Sequence, residues 1–398
     1  AYDFEIAIRD IEAGEQLTDD YGYLNISEPF RGVDEGTKRK VVYPDDLTRY
    51  APVWDKKLIY EGTKVLPYCP RCETPVSNSE IAMDGSYKDI TDISVYVKLA
   101  VENEPKTFLV VWTTTPWTLP GNTAVAVNPD LDYVIAKMGD EYYIVGKDKT
   151  SILKGDFEIV EEIKGSALVG KKYKAPFDYY TGENPAANSA LNSDYKELVN
   201  RENGWQVYPA PYVTAETGSG IVHLAPAYGE EDMALAKQYN IPFIRHVGFD
   251  GKFAPVVTDF AGLKAKPKED HQSSDVLIIK NLAARGLLFA KEKIIHSYPH
   301  CFRCETPLYY FALPAWFIKI TDVKKDIVGL NEKIHWIPEH LKYGRFGNSI
   351  AGAPDWNISR NRYWASPLPF WRCENCDKVD CIGSIKEIHE RSIAKNKY

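Results

Sequence analysis

Seven strand-like runs, three helical patterns and two matching cysteine knuckles predict a mainly β chain with some helix, an α+β fold, for these 398 residues. The runs fall at 95–99, 108–112, 123–127, 133–137, 142–145, 157–163 and 220–224, each β-branched or aromatic in character and bounded by Gly, Asn-Pro or Asp turns. Short strands at this spacing predict a small β-barrel. Helical periodicity at 189–199, 231–239 and 274–285 supplies helices to pack on it. The knuckles lie on either side of these residues and predict a stalk that carries the barrel.

Composition limits the functional classes. A hydrophobic fraction of 44% is ample for the cores of two or three domains, and no apolar run approaches membrane-spanning length. The first residues, AYDFEIAIRD, have neither a basic region nor an apolar stretch of the signal-peptide kind, so a cytoplasmic, monomeric chain with no membrane partner is expected. A net charge of -8 argues against indiscriminate nucleic-acid binding and leaves room only for a local basic surface. Lys291, Lys293, Arg303, Arg345, Arg360 and Arg362 are its candidates, although such side chains are most often solvated decoration.

The seven cysteines occur as CPRC (Cys69, Cys72), CFRC (Cys301, Cys304), CENC (Cys373, Cys376) and the single Cys381. Pairs at this spacing suit metal rather than disulfides, because two knuckles supply the four thiolates of a tetrahedral structural zinc. The first two share nearly one sentence, YCPRCETPVS and HCFRCETPLY, about 230 residues apart. One zinc bound by both would clamp the base of everything between them as a zinc ribbon. Cys373 and Cys376 form a further half-site for metal.

Between the knuckles, Phe108 to Trp112 read as a core strand that ends in Thr113, Thr114 and Thr115, hydroxyls able both to donate and to accept. Pro116 and Pro120 fix φ and remove two amide donors, which excludes helix there. By composition alone this is a Thr-rich strand end with a Pro-stabilised turn. A second strand, Ile221 to Leu224, follows Gly218-Ser219-Gly220, glycines that permit a bulge or close backbone approach. It carries His223, and Asp232 follows at the start of the helix, where a carboxylate favours the positive dipole end. There is no GxSxG elbow, GxGxxG or Walker loop.

Taken together, WTTTPWTLPGN and, about a hundred residues later, GSGIVHLAPAYGEED closely resemble the editing domain inserted into class I isoleucyl-tRNA synthetases, with valyl and leucyl enzymes as more distant relatives. DWNISRNRYW (355–364) resembles the start of the second half of the synthetase catalytic domain, which implies a partial α/β, Rossmann-like segment after the stalk. Residues 1–57 are different: FEIAIRDIEAGEQLTDDYGY resembles the C-terminal end of a SET-type lysine methyltransferase domain. Five segments are therefore expected: 1–57, a SET-like remnant; 58–94, the first half of the ribbon and a linker; 95–290, the editing barrel; 291–320, the second half of the ribbon; and 321–398, an incomplete catalytic segment with a partial second zinc site.

The resemblance implies hydrolysis of the ester in a mischarged aminoacyl-tRNA, most simply valyl-tRNA(Ile), with weak hydrolysis of simple esters as an extension. Thr113, Thr114 and Thr115 would act with Asp232 as the catalytic set. Trp112, Asn122, His223 and Ser219 would bind substrate, and the partner would be a tRNA acceptor end carrying the wrong amino acid. His223 would wall the side-chain pocket, and Asp232 would pair with the substrate ammonium. Ser219 stands where the family commonly has threonine, and Ala227-Tyr228 replaces a Gly-containing pair. Neither a HIGH nor a KMSKS-like motif is present, so no use of ATP and no amino-acid activation are expected. The alternative is a non-catalytic ribbon and barrel that binds the tRNA acceptor end, or an inert fragment.

Overall fold

The computed structural model describes residues 50–181, 200–214, 216, 218–359, 368–373, 376 and 378–391. The helix expected at 189–199 and nearly all of the SET-like segment lie outside them. The chain divides into two compact units, Thr63–Leu313 and the pair of segments Ala1–Gly62 and Pro314–Tyr398.

The larger unit is built on a nine-stranded sheet that curls into a half-barrel. Its strands are β3 (Tyr87–Ala100), β4 (Thr107–Thr113), β5 (Ala124–Val127), β6 (Asp132–Met138), β7 (Glu141–Gly146), β8 (Glu158–Lys164), β9 (Val207–Pro209), β10 (Ile221–Leu224) and β11 (Leu288–Pro299). β1 (Ile59–Cys69) and β2 (Thr74–Pro75) precede it and pair through Tyr68 with Pro75 and Cys69 with Thr74. All seven expected runs are strands. β4 is the hub, because one of its edges pairs with β3 from Phe108 to Thr113 while the other forks. Thr107 to Leu109 pair with β7, and Trp112 pairs with Val222 of β10.

That fork places the candidate site. β4 and β10 run parallel, so the backbones leaving Thr113 and Leu224 emerge at the same end of the sheet. β4 and β5 lie inside the sheet, each with a parallel and an antiparallel neighbour, and burial on both faces accounts for the apolar runs FLVV and AVAV. Leu109, Val111, Leu119, Val125 and Ile221 meet in one large core with Ile278 and Leu282. The latter two belong to the helix Ser273–Ala284, whose apolar positions recur at helical spacing.

One expectation is corrected. Pro116 and Pro120 do not exclude helix, since Pro116–Gly121 is a fully buried 3₁₀ turn. Pro116 occupies its first position, where φ is already suitable and no intrahelical amide bond is required.

In the smaller unit, Phe317 and Ile318, the last residues of β12 (Tyr309–Ile318), pair with Asn357 and Trp356. The helix Ile320–Glu332 follows β12, and Phe370–Arg372 forms a hairpin with Val379–Cys381. Among the described residues no helix is long and apolar enough to cross a membrane.

Candidate functional site

The 3₁₀ turn brings Thr118 against His223, with Oγ1 and Nε2 2.8 Å apart across 105 residues of sequence. Proton accounting fixes the direction of the bonds around the His223 ring. Thr118 donates its only hydroxyl proton to the Thr115 carbonyl at 2.8 Å, so its oxygen accepts from His223 Nε2–H. The other ring nitrogen, Nδ1, accepts from the Asn122 amide at 3.1 Å. That amide also donates to the Ala124 carbonyl at 2.9 Å, and Asn122 Oδ1 accepts from the Tyr173 hydroxyl at 2.8 Å. His223 is therefore the Nε2–H tautomer, with both nitrogens engaged.

Burial, assisted by repulsion from His246, pushes the His223 pKa down to about 3, and burial takes His246 down to about 4. Both rings are neutral near pH 7. A histidine whose folded pKa is depressed supports folding above its unfolded value near 6.5, and that support is lost as pH falls toward 3.

The threonines share this network unequally. Thr113 Oγ1 accepts the Thr115 amide at 3.1 Å and lies 3.2 Å from Thr115 Oγ1, which is 3.3 Å from Thr118 Oγ1. Thr114 is half-buried, and its hydroxyl has no hydrogen-bond partner among the described residues. Trp112 packs under Gly218: a Cβ on that glycine would lie 2.7 Å from the indole, and its φ of +66° is one that glycine adopts without strain. Ser219 is fully buried and bonds the backbone of Ile221, 3.2 Å from its carbonyl and 3.3 Å from its amide. It shapes the glycine turn and makes no bond to the threonines.

Asp232 lies half-buried in the first turn of the helix Glu230–Tyr239 and accepts the Ala225 amide, two residues beyond His223, at 2.8 Å. Burial raises its carboxyl to about 6, opposed by that hydrogen bond. A side chain at Gly229 would come within 2.7 Å of this carboxylate, so glycine is what lets it fold back. Thr118 and Tyr173 are the site residues that sequence reasoning missed. The first lies inside the quoted motif, while nothing near Tyr173 marks it.

The cysteine quartet is assembled as the knuckles predict. The Sγ atoms of Cys69, Cys72, Cys301 and Cys304 all lie within 4.8 Å of one another, with Cys69 to Cys304 at 3.4 Å and Cys72 to Cys304 at 3.6 Å. A tetrahedral zinc with sulfur ligands at about 2.3 Å needs sulfurs roughly 3.8 Å apart, which this donor set fits. The repeated sequence gives a repeated backbone: Glu73 and Glu305, each following the second cysteine of its knuckle, both adopt positive φ, 50° and 58°. Among the described residues this is the group of three or more potential ligands; Cys373 and Cys376, at the hairpin turn, do not belong to it.

Comparison with known proteins identifies relatives of this chain. A family model described as tRNA synthetases class I (I, L, M and V) matches residues 47–398. The chain is 41% identical over 341 residues to an isoleucine–tRNA ligase of Clostridium acetobutylicum, covering 86% of this chain and 30% of that protein. To the isoleucine–tRNA ligase of Thermus thermophilus it is 41% identical over 347 residues, covering 85% and 30%. The chain thus spans about a third of the length of the curated relatives it matches. Among solved structures, the P. falciparum cytosolic leucyl-tRNA synthetase editing domain is 14% identical, covering 37% of this chain and 67% of that one at a TM-score of 0.26, too low to carry an argument.

Proposed function

Because this chain belongs to the class I tRNA synthetases of the isoleucine, leucine, methionine and valine group, we propose that its larger unit hydrolyses the ester of a mischarged aminoacyl-tRNA, valyl-tRNA(Ile) foremost. The observation that supports this function is the 2.8 Å bond between Thr118 and His223, which brings two distant motifs into contact. An isoleucine-binding synthetic site rejects valine weakly, since one methylene is worth only about 1–3 kcal/mol, a general figure for which isoleucyl enzymes are themselves the standard example. A second, hydrolytic site removes the wrong product.

The 3'-terminal ribose and the amino-acid carbonyl sit against the threonine turn. The unspent hydroxyl of Thr114, with Thr113 and Thr115 beside it, holds the attacking water and the ribose hydroxyl. No protein nucleophile is required; position and preorganised dipoles lower the barrier. His223, neutral and held at both nitrogens, walls the side-chain pocket without offering a proton acceptor to the substrate. Asn122 acts through His223, its amide already committed. Trp112 and Ser219 support the floor. The Asp232 carboxylate pairs with the substrate ammonium, a charge-assisted contact that orients the ester.

The cysteine quartet holds a structural zinc, whose chemistry here is to cross-link the two knuckles. The partner is the tRNA acceptor end.

Deacylation assays test this reading. The chain is expected to release valine from valyl-tRNA(Ile) at least about tenfold faster than isoleucine from the cognate ester. Binding of tRNA with no release of either amino acid would replace the hydrolase with a tRNA-binding module.

A further inference from the structure

A buried ionic cluster lies behind the threonine turn and plays no part in the chemistry just described. The Lys266 side chain is 0% exposed, and its Nζ lies 3.1 and 3.0 Å from the two carboxylate oxygens of Asp92 and 3.6 Å from Asp275 Oδ2. Asp92 and Asp275 are each 1% exposed. Two histidines line the outer side: His296 Nε2 is 3.0 Å and His271 Nε2 3.3 Å from Asp92. The Lys266 amide is itself tied to the Tyr309 hydroxyl at 2.9 Å. Removing such charges from water costs several kcal/mol per ion, and a well-packed apolar replacement is often as stable or more so. Stability alone is therefore a poor reason for the cluster.

What the cluster touches gives a better one. Asp275 Oδ1 accepts the Trp117 amide at 2.9 Å, inside the 3₁₀ turn. Prolines 116 and 120 have no amide to give, so this N–H is one of the few by which the turn can be held. On its other side the Trp117 carbonyl accepts His246 Nε2–H at 2.9 Å. The peptide groups flanking Trp117 are thus gripped at both poles, and the next residue is Thr118, the partner of His223.

We propose that Asp275, paired with the Lys266 ammonium that Asp92 anchors, is a positioning residue for the threonine turn: its bond to the Trp117 amide sets the turn so that Thr118 accepts from His223. Asp275 touches no substrate and acts through Trp117 and Thr118. The proposal rests on the editing reading for its kinetic consequence but not for its geometric one. Asp275 keeps its acceptor oxygen whether or not its second oxygen carries a proton, so the bond to Trp117 does not depend on its charge.

The test uses the full chain and the variants Asp275→Ala, Asp275→Asn and Asp275→Ser. Asparagine keeps an acceptor at the same reach, while alanine has none and serine is too short for the Trp117 amide. Turnover of valyl-tRNA(Ile) is measured with the ¹⁵N shifts of the His223 imidazole. Misplacement of reacting groups by about 1 Å costs up to ~100-fold, so Asp275→Ala and Asp275→Ser are expected to lose at least about tenfold in kcat with KM within about twofold. Both should shift the His223 Nε2 signal, and Asp275→Asn should keep kcat within about threefold of wild type.

If the alanine variant does not fold, the serine variant is read by the same criteria. Folded variants lacking the acceptor that retain both wild-type kcat and the wild-type His223 signal would overturn the proposal. So would an asparagine variant as impaired as the alanine one. A wild-type chain that hydrolyses nothing would end the editing reading alone; the His223 signal still decides whether Asp275 positions the turn.

Discussion

Replacing Asp232 with alanine or asparagine is expected to lower kcat/KM for valyl-tRNA(Ile) about 30- to 150-fold, the rate equivalent of losing a charge-assisted contact of ~2–3 kcal/mol. The pair of variants separates chemistry from architecture. Asp232 also accepts the Ala225 amide at 2.8 Å, and alanine leaves that N–H without its partner at a further cost of ~1–3 kcal/mol in stability. Asparagine retains an acceptor there and removes only the charge. An asparagine variant within threefold of wild type would exclude Asp232 as the ammonium partner.

The pH profile offers the same test without mutation. Burial holds the Asp232 carboxyl near 6, so hydrolysis is expected to fall as pH drops through that value and the carboxylate gains a proton. The effect on stability has the opposite sense to that of an ion-paired acid. The folded chain keeps this proton to higher pH than the unfolded one, so Asp232 favours folding below about pH 4, and the benefit is lost as pH rises through 6. The helix gains nothing from making the group harder to ionise, which is consistent with a carboxylate kept for a ligand.

The second large effect belongs to the cysteine quartet. Around it the packing is thin: Cys69, Cys301, Val76, Ile81 and Leu308 form a separate small cluster, distinct from the main core. Structural zinc contributes on the order of 10 kcal/mol in small zinc modules, and a cluster of this size has little else to hold it. The chain is expected to carry one zinc per molecule at this site. Stripping it with a chelator should free the amides of Cys72, Val76, Cys301 and Glu305 to exchange while those of β4 and β10 stay protected. Less than one zinc per chain, or an exchange pattern indifferent to chelation, would contradict a structural metal. Cys69→Ser, at a buried ligand, should reproduce the stripped pattern.

How much of this was written in the sequence differs from element to element. Strands β4 and β10 announce themselves because burial on both faces demands continuous apolar runs, and their parallel pairing then brings the TTT and His223 ends together. The knuckles are legible because metal ligation requires cysteine at fixed spacing, and even the positive φ after each is repeated. The turn at Pro116 was misread for a local reason: proline opposes helix in its interior but suits its first position. Tyr173 was invisible, since its bond to Asn122 spans 51 residues and a lone tyrosine in a loop carries no pattern. Lys266 was hidden more completely. In GLKAKPKED it looks like one of several solvated lysines, and only the tertiary fold wraps Asp92, Asp275 and Tyr298 around it. Periodicity records which face is apolar; it carries no trace of which charges are paired within.

A crystal structure of the chain with a non-hydrolysable valyl-adenosine analogue tests most directly whether the threonine turn, His223 and Asp232 form one hydrolytic pocket. The ammonium is expected within hydrogen-bond reach of Asp232, the ribose against Thr113 to Thr115, and the isopropyl group against His223, with the Thr118–His223 bond intact. An analogue bound away from the threonine turn, or seated there with its ammonium turned away from Asp232, would contradict it.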